Sequence, residues 1–498
     1  MAFFNRLATA GQRWGNSRAF TLRLLVIGFL LLIFFFPTYL VQNLIRERAG
    51  RQTEAVREVS SKWGESQVVA GPILVVPYHP YGPIPIPQNP KSAGYLDPGQ
   101  LRQAYFVPDQ LKISGLVKTQ LRSRGIYRVP LYEGDLQLAG SFTMPELAPL
   151  NLGPERMYWN KAYVVMGGLD LSGLRGPINL NWQSGASQFA SGNKSKIFTS
   201  EVAAPVAFTP EPNKKYSFTI SVPLRGSGNL FFVPVGKQTE VALQSNWTAP
   251  SFDGTFLPTS HQMDDKGFSA QWQVFDLNRT LPPSWTDTQQ ISLASAVQNA
   301  SYQATALTRY YDNRYNRYSN SANKYSLGEF GVRFYLPVDI YQKTTRSAKY
   351  AMAVIGLVFL IYFLVEAAAR RRVNPLQYIL VGLALCIFYT LLLSISEYLS
   401  FGYAYLIAST AIVGMIGLFT KSILKSGRLG LVQGGILAFL YGFIFILLQS
   451  QDYTLLIGSI GLFLILGVLM YFSRFVNWYD EDRVEHHSAA PPADTPHF

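Results

Sequence analysis

Cysteine is almost absent from this 498-residue chain, because Cys386 is its only cysteine. A chain with one cysteine forms no internal disulfide and no site of several thiolate ligands, so its folded parts depend on hydrophobic cores. Histidine is also rare, and three of the five histidines lie close to the C-terminus. These shortages exclude a disulfide scaffold and leave few residues for a catalytic base or a metal site.

Recognisable catalytic motifs are missing as well. The sequence contains no P-loop, no HExxH zinc motif and no Gly-x-Ser-x-Gly nucleophile elbow. His261 followed by Asp264 and Asp265 resembles a hydrolytic or metal-binding group, but a polar turn between two strands needs the same residues. A pair of catalytic carboxylates is defined by its separation in space, which the sequence does not reveal. We therefore predict no catalytic residue, no metal and no cofactor, and keep a periplasmic cell-wall hydrolase as an alternative.

Basic residues outnumber acidic ones by 43 to 30, which gives a formal net charge of +13. The excess is spread thinly along the chain. No dense patch of Lys and Arg is interleaved with aromatic residues in the way that is typical of nucleic-acid-binding proteins. We predict that nucleic acid is not a partner.

Charged residues are rare in six long apolar runs, one near the N-terminus and five in the last third of the chain. Each run is close to the ~20 helical residues that cross a hydrocarbon core about 30 Å thick. The first run is too long for a typical signal-peptide core, and no small-x-small cleavage pattern follows it. We predict six transmembrane helices, of which the first is an uncleaved anchor. The runs are Leu22–Val41, Tyr350–Ala368, Leu376–Leu399, Tyr403–Thr420, Leu429–Leu448 and Tyr453–Phe472.

Lysine and arginine indicate how these helices are oriented, because positive charge is retained on the cytoplasmic side of a membrane. Arginines precede the first run, basic residues cluster at 370–372 and 421–428, and Arg474 follows the last run. The loops Glu397–Gly402 and Gln449–Asp452 contain no Lys or Arg. We predict that both termini are cytoplasmic and that the middle of the chain is exported.

The apolar runs contain few ionisable side chains of the kind that ion-coupled transporters place within the membrane. Glu366, Glu397 and Asp452 lie at the ends of runs, where interfacial anchoring explains them. Gly430-x-x-x-Gly434 offers a small face for close helix packing. We predict a packed helical bundle and keep a membrane transporter or flippase-like protein as a second alternative.

The middle of the chain alternates apolar and polar residues, which is typical of half-buried strands. Tyr216–Val222 alternates throughout, and Phe268–Val274 and Val332–Leu336 repeat the pattern. We predict a large antiparallel, mainly β domain with a sandwich-like core. The proline-rich stretch Pro77–Asp97 and the Tyr- and Arg-rich stretch Asn299–Lys324 are predicted to be loosely ordered.

Several longer motifs follow one another along the chain. They include Trp63-Gly-x-x-Gln67-x-x-x-Gly71-Pro72, Arg122-Ser-Arg124-Gly125-Ile126-Tyr127, Ser245-Asn-Trp247-x-x-Pro250-Ser251-Phe252-x-Gly254-x-Phe256-Leu257-Pro258 and Pro375-x-Gln377-Tyr378. Together these motifs resemble the CreD family of bacterial inner-membrane proteins, known as cell envelope integrity proteins, and the resemblance extends from about Leu22 to Tyr479. It implies a Gram-negative inner-membrane protein with a periplasmic domain, associated with envelope maintenance, colicin tolerance and the response to β-lactams. It brings no catalytic residue or cofactor, because none is established for the family.

The predicted domain organisation combines the helices, the β-rich middle and the resemblance. The N-terminal helix is expected to be separated from the other five by the whole periplasmic domain. The predicted parts are a cytoplasmic N-terminus at 1–21, a first transmembrane helix at 22–42, a periplasmic mainly β domain at 43–349, a five-helix transmembrane bundle at 350–472 and a disordered cytoplasmic tail at 473–498.

Our leading functional prediction is a non-enzymatic envelope stress-response protein. Its periplasmic domain is expected to bind an envelope protein or a cell-wall polymer, while its helices contact the lipid bilayer. Paired guanidinium groups bind phosphate or carboxylate well, and the longest matched motif is an aromatic and proline-rich turn between strands. The candidate interaction residues are Arg122, Arg124, Trp247, Pro250, Phe252, Gly254, Phe256 and Pro258.

Overall fold

The protein is described here from a computed structural model. The Tyr- and Arg-rich stretch, most of the proline-rich stretch and the predicted tail lie outside the described residues. The chain divides into two compact units, one formed by Met1–Ala49 with Asp339–Phe498 and the other by Gly50–Val338. The described residues are 17–80, 101–183, 185–192, 195, 197–212, 214–289, 291, 293, 328–334, 340–369, 374–450 and 453–473.

The six apolar runs all lie in helices, because a continuous apolar segment satisfies its backbone hydrogen bonds locally only when it is helical. The first helix is much longer than its apolar run, since it continues through a charged segment to Trp63. A short helix before the second run was not predicted, and it buries one face. The helices are α1 (Ser17–Trp63), α2 (Ile340–Lys349), α3 (Ala351–Ala369), α4 (Pro375–Ser396), α5 (Phe401–Leu424), α6 (Gly427–Gln449) and α7 (Thr454–Ser473).

Four helices within the described residues are long and apolar enough to cross a membrane. They are part of α1, α4, α5 and α6. A fifth candidate arises if α2 and α3, which are bent by 42° at their junction, count as one span. The described part of α7 contributes a shorter apolar helix, Leu455–Val468. Length and composition thus support four or five crossings, and the sixth remains a prediction.

The helices α5 and α6 pack closely at the predicted glycine pair of α6. A Cβ atom added at Gly430 would lie 2.9 Å from the carbonyl oxygen of Gly417 and 2.8 Å from the Cβ atom of Lys421. Gly434 faces Gly417 at the next turn. The missing side chains let the backbones of α5 and α6 approach closely, as the small-residue pattern predicted.

The second unit contains seventeen strands within the described residues, arranged in two sheets. One sheet has the order β13-β17-β11-β1-β5-β9-β8, with β2 paired to β1 and β16 paired to β2. The other has the order β14-β15-β12-β3-β4-β10-β6-β7. The strands are β1 (Gln67–Tyr78), β2 (Arg102–Phe106), β3 (Gln110–Arg124), β4 (Tyr127–Thr143), β5 (Tyr163–Gly167), β6 (Asn179–Trp182), β7 (Gly185–Gln188), β8 (Ala190–Ser191), β9 (Glu201–Pro205), β10 (Lys215–Ser227), β11 (Asn229–Val233), β12 (Gln238–Ser245), β13 (Pro250–Gly254), β14 (Ser260–Asp264), β15 (Gly267–Phe275), β16 (Ser284–Thr286) and β17 (Phe330–Phe334).

The prediction of an antiparallel domain was wrong in one respect, because each sheet contains a parallel pair. β1 pairs in parallel with β11, and β3 pairs in parallel with β12. Both pairs join strands that are far apart in the sequence, so the intervening chain is long enough to return to the starting edge. The predicted alternating segments Tyr216–Val222 and Phe268–Val274 lie in β10 and β15, and the described part of the third segment, 332–334, lies in β17.

Aromatic rings from both sheets form one hydrophobic core. Tyr132 of β4 contacts Phe334 of β17 with ring centroids 5.0 Å apart, and Trp272 of β15 contacts Phe330 with centroids 5.9 Å apart. All four side chains are buried. The alternation of the strands therefore places their apolar residues in a shared interior.

We expect Gly430→Ala to destabilise the α5–α6 pair, because its new methyl group meets the backbone of Gly417. Overpacking of this kind costs about 1–3 kcal/mol. The matched control is Gly435→Ala, because no atom lies within 4 Å of the added Cβ atom there. Thermal unfolding of the detergent-solubilised protein checks both variants. A Tm for Gly430→Ala equal to that of Gly435→Ala would contradict the close approach.

Candidate functional site

The candidate residue Arg124 lies at the end of β3, beside the turn into β4, and binds a carboxylate of its own chain. Its guanidinium Nε and NH2 atoms lie 3.2 and 3.0 Å from the two carboxylate oxygens of Glu58 in α1. Lys62, one helical turn after Glu58, donates to the same carboxylate at 2.8 Å. Hydrogen bonds from Lys62 and then Arg124 lower the pKa of Glu58 below its ordinary value. Arg124 is therefore engaged with α1.

Arg122 faces the same helix through Trp63. Its guanidinium carbon lies 5.8 Å from the centroid of the Trp63 ring, and that of Arg225 in β10 lies 5.0 Å from it. The indole nitrogen of Trp63 donates to the carbonyl of Tyr132 at 3.4 Å. Cations beside an indole ring are attracted by its negative face. Both candidate arginines thus fasten the end of α1 to the β3–β4 hairpin.

A buried polar joint lies directly after this helix end, and sequence analysis did not identify it as such. The side-chain amide of Gln67 is fully buried at the start of β1. It donates to the carbonyl oxygens of Arg225 at 3.0 Å and Asp170 at 3.4 Å. Its oxygen accepts the backbone N–H of Asp170 at 3.0 Å. Gln67 therefore bonds to two distant segments of the β-rich unit.

Asp170 completes the joint from the other side. One carboxylate oxygen accepts the backbone N–H of Glu65 at 2.8 Å and the hydroxyl of Ser172 at 2.7 Å. The hydroxyl of Ser227 donates to the carbonyl of Gly64 at 3.0 Å. These bonds satisfy backbone groups that become unpaired where a helix ends.

Glycine is required where the chain leaves the helix. Gly64 has a φ of +142°, and a Cβ atom there would lie 2.7 Å from the carbonyl oxygen of Arg225. The motif Trp63-Gly-x-x-Gln67 therefore encodes a helix end, a close backbone approach and a buried amide. The sequence signal for the joint was a glutamine placed next to an unbroken apolar segment.

The other candidate group lies on β13 and on the turn that follows it. Phe252 contacts Phe268 and Trp272 edge-on, with centroid distances of 5.6 Å in both cases. Phe256 contacts Phe330 at 5.9 Å. All these rings belong to the core or pack against it. Phe252 and Phe256 hence anchor the turn to the domain.

Trp247 and Gly254 fix the two ends of the segment that leads into β13 and includes it. The indole nitrogen of Trp247 donates to Ala249 at 2.9 Å, and its ring meets Phe334 edge-on. Gly254 has a φ of +110°, and a Cβ atom there would lie 2.3 Å from the carbonyl oxygen of Glu329. A side chain at position 254 would collide with the backbone of Glu329, and this close approach explains why glycine occupies the position.

An exposed surface remains at the outer side of the turn. Pro250 begins β13, and Pro258 lies shortly before β14. Leu257, directly before Pro258, is 71% exposed. β13 and β14 stand at the ends of the two sheet orders. We call Pro250–Asp264 the edge surface. It is the place where the described part of the β-rich unit offers both strand edges and apolar side chains.

The two candidate groups lie on different sheets. Arg122 and Arg124 belong to β3, whereas β13 belongs to the sheet of β1. The edge surface also includes β14, which belongs to the sheet of β3. The two groups differ in their contacts, because Arg122 and Arg124 face α1 whereas Leu257 is exposed.

The geometry around His261 gives no support to hydrolysis. β14 is exposed along its whole length, and His261 contacts the ring of Phe252 at 5.5 Å. The carboxylate of Asp264 accepts the backbone N–H of Lys266 at 2.7 Å, which is a turn-forming bond. Within the described ranges, no three His, Cys, Asp or Glu side chains come close enough to hold one metal ion.

Glu397 has structural partners at the end of α4. Its carboxylate accepts the hydroxyl of Tyr341 at 3.1 Å and lies 3.7 Å from a guanidinium nitrogen of Arg48. These contacts tie α1 and α2 to α4 within the first unit. Asp452 lies outside the described residues.

We expect the Glu58 cluster to stabilise the protein only above the acid range. The pKa of Glu58 is lowered in the folded protein from its ordinary value of 4.5. The stabilisation is therefore present above pH 4.5 and is lost as the pH falls through the folded pKa. Glu58→Gln should lower Tm slightly at pH 7, and this difference should disappear in acid.

The matched control for this prediction is Glu54→Gln, one turn earlier on the same helix. Its side chain is exposed. We expect no change in Tm at either pH for this variant, because exposed carboxylates without a fixed partner contribute little. A pH-independent loss for Glu58→Gln would show that packing, and not charge, explains the effect.

Comparison with known proteins agrees with the presence of helices long and apolar enough to cross a membrane. The family described as "Inner membrane protein CreD" matches residues 19–479. The inner membrane protein CreD of Escherichia coli (strain K12) is 27% identical over 451 residues, which cover 90% of this chain and 91% of that protein.

Solved structures give only a distant likeness. A mutant of the M1 zinc metallopeptidase from Deinococcus radiodurans has a TM-score of 0.20 at 11% identity, over 36% of this chain and 39% of that chain. Another crystal structure of the peptidase gives the same TM-score and identity over 34% of this chain and 38% of that chain. This likeness carries no argument about activity. The family match covers most of the sequence, and the chain therefore belongs to the CreD family of inner membrane proteins.

Proposed function

We propose that this CreD-family protein is a non-enzymatic component of the cell envelope that binds a partner through its β-rich unit in the periplasm. In this proposal the chain crosses the inner membrane six times, and its two sheets pack as a sandwich. Binding contributes to envelope integrity under cell-wall stress. The observation that carries the proposal is the edge surface, where exposed strand edges and an exposed leucine stand on a rigidly packed base.

The distribution of basic residues supports the orientation. Lys421, Lys425 and Arg428 surround the junction of α5 and α6, whereas the loop between α4 and α5 contains no Lys or Arg. Positive charge marks the cytoplasmic side, so the α4–α5 loop faces the periplasm. With six crossings, the residues between α1 and α2 face the same side.

The edge surface suits an extended protein segment better than a sugar polymer. β13 pairs only with β17 among the described strands. A strand at the end of a sheet presents backbone N–H and C=O groups that an added strand satisfies. The side chain of Leu257 would contact an apolar residue of such a segment. We propose that Arg122 and Arg124 hold α1 and do not bind the partner.

The rigidity of the edge surface favours binding without large rearrangement. Arg333 of β17 is buried and its guanidinium lies 2.6 Å from a carboxylate oxygen of Asp253 in β13. Phe252 packs on two core rings below the strand. A preorganised strand edge loses little conformational freedom when a partner adds to it.

Photo-crosslinking from the edge surface tests the proposal. A photoreactive phenylalanine analogue at Leu257 should give a discrete protein adduct in intact cells treated with a β-lactam. The matched control is the same analogue at Leu277, which is 98% exposed and lies outside the edge surface. We expect no such adduct from Leu277.

Two further results complete this test. Leu257→Cys in a Cys386→Ser background should react with a membrane-impermeant maleimide applied from the periplasmic side, which tests the orientation separately from binding. Identical adducts from both positions, or none from Leu257 when labelling confirms the orientation, would contradict binding at the edge surface. An adduct with a sugar polymer at Leu257 would show that the partner is a cell-wall polymer and would contradict a protein partner.

A further inference from the structure

A basic depression lies at the junction of α5 and α6. Its walls come from the last turns of α5 and from the residues that lead into α6. Two lysine side chains and two serine hydroxyls line it beside one exposed leucine, so it combines cationic, hydrogen-bonding and apolar groups. The lining residues are Leu418, Lys421, Ser422, Lys425, Ser426 and Gly427.

The glycine crossing of α5 and α6 builds this depression. Gly430 lies against the Cβ atom of Lys421, and Gly417 lies against Gly434 one turn deeper. This crossing fixes the spacing of the two helices just below the lysines. Lys425 adopts a left-handed conformation with a φ of 43°, which turns the chain from α5 into α6. The positions of both lysines therefore follow from close helix packing.

The depression has no negative charge nearby in its own helices. No aspartate or glutamate occurs anywhere in 401–450, and the side chains of Lys421 and Lys425 are exposed. In the part of the chain that the structure describes, neither lysine forms a salt bridge. Among the described residues, the two ammonium groups therefore have no internal carboxylate partner.

The surroundings identify the source of an anion for these lysines. Both α5 and α6 are long and apolar enough to cross a membrane. The junction of two membrane-crossing helices lies at the level of the lipid headgroups. Leu418 lies one turn before Lys421 on α5 and is 69% exposed. A phospholipid offers a phosphate to the lysines and a hydrocarbon chain to the leucine.

We propose that the Lys421–Lys425 depression binds the headgroup of an anionic phospholipid. The two ammonium groups contact the phosphate, and the hydroxyls of Ser422 and Ser426 donate hydrogen bonds to its oxygens. The site is independent of the edge surface, because it belongs to the other unit of the chain.

Native mass spectrometry of the full-length protein in detergent tests this site. We expect tighter binding of dioleoylphosphatidylglycerol than of dioleoylphosphatidylcholine. Lys421→Gln with Lys425→Gln should weaken phosphatidylglycerol binding on the order of 20-fold, because each basic residue near a membrane surface contributes severalfold. The matched control is Arg428→Gln, which removes a charge from the same junction outside the depression.

The controls separate a defined site from general surface charge. Binding by Arg428→Gln should stay within about threefold of the unaltered protein. Ser422→Glu keeps both lysines but places a negative charge in the depression, so it should also weaken binding of the phospholipid. This second variant tests the site even if the double lysine variant does not fold. Equal losses in Arg428→Gln and the lysine variant, equal affinity for the two lipids, or displacement of lipid by millimolar inorganic phosphate would each overturn the proposal.

Discussion

The hydrogen bonds between Gln67 and Asp170 are the contact on which the β-rich unit depends most. They lie where α1 ends and β1 begins, and they join that point to a distant loop and to β10. β1 pairs with β2, β5 and β11, so its register influences three other strands. A buried amide with all its bonds formed specifies one arrangement, because any slip leaves polar groups unpaired. The helix end is held further by Arg124 and Trp63.

Much of the fold could be predicted because its signals are local. Long apolar runs predicted the helices, and period-two alternation predicted strands such as β10. The parallel pairing of β1 could not be predicted, since Val68–Val76 is buried on both faces and shows no alternation. The neighbours of the charged part of α1, which extends to Trp63, depend on contacts that are distant in the sequence.

The sequence indicated residues that belong to the candidate sites, but it did not indicate the contacts that those residues make. Arg122 and Arg124 suggested an anion site, yet the partner of Arg124 is Glu58, which lies 66 positions away. The aromatic turn from Trp247 to Pro258 was identified, but its division into buried anchors and an exposed edge required the structure. Lys421 and Lys425 served in the sequence as orientation signals only. Their depression depends on the approach of two helix backbones at Gly430.

One buried joint couples the end of α1 to β1, the Asp170 loop and β10. Hydrogen–deuterium exchange of the full-length protein tests it in Gln67→Ala, with Gln137→Ala as the control because Gln137 makes an exposed bond to Ser221. We expect exchange to be faster by at least about tenfold across 64–70 and 170–173 together, and only in Gln67→Ala. Unchanged exchange at 170–173 would contradict it.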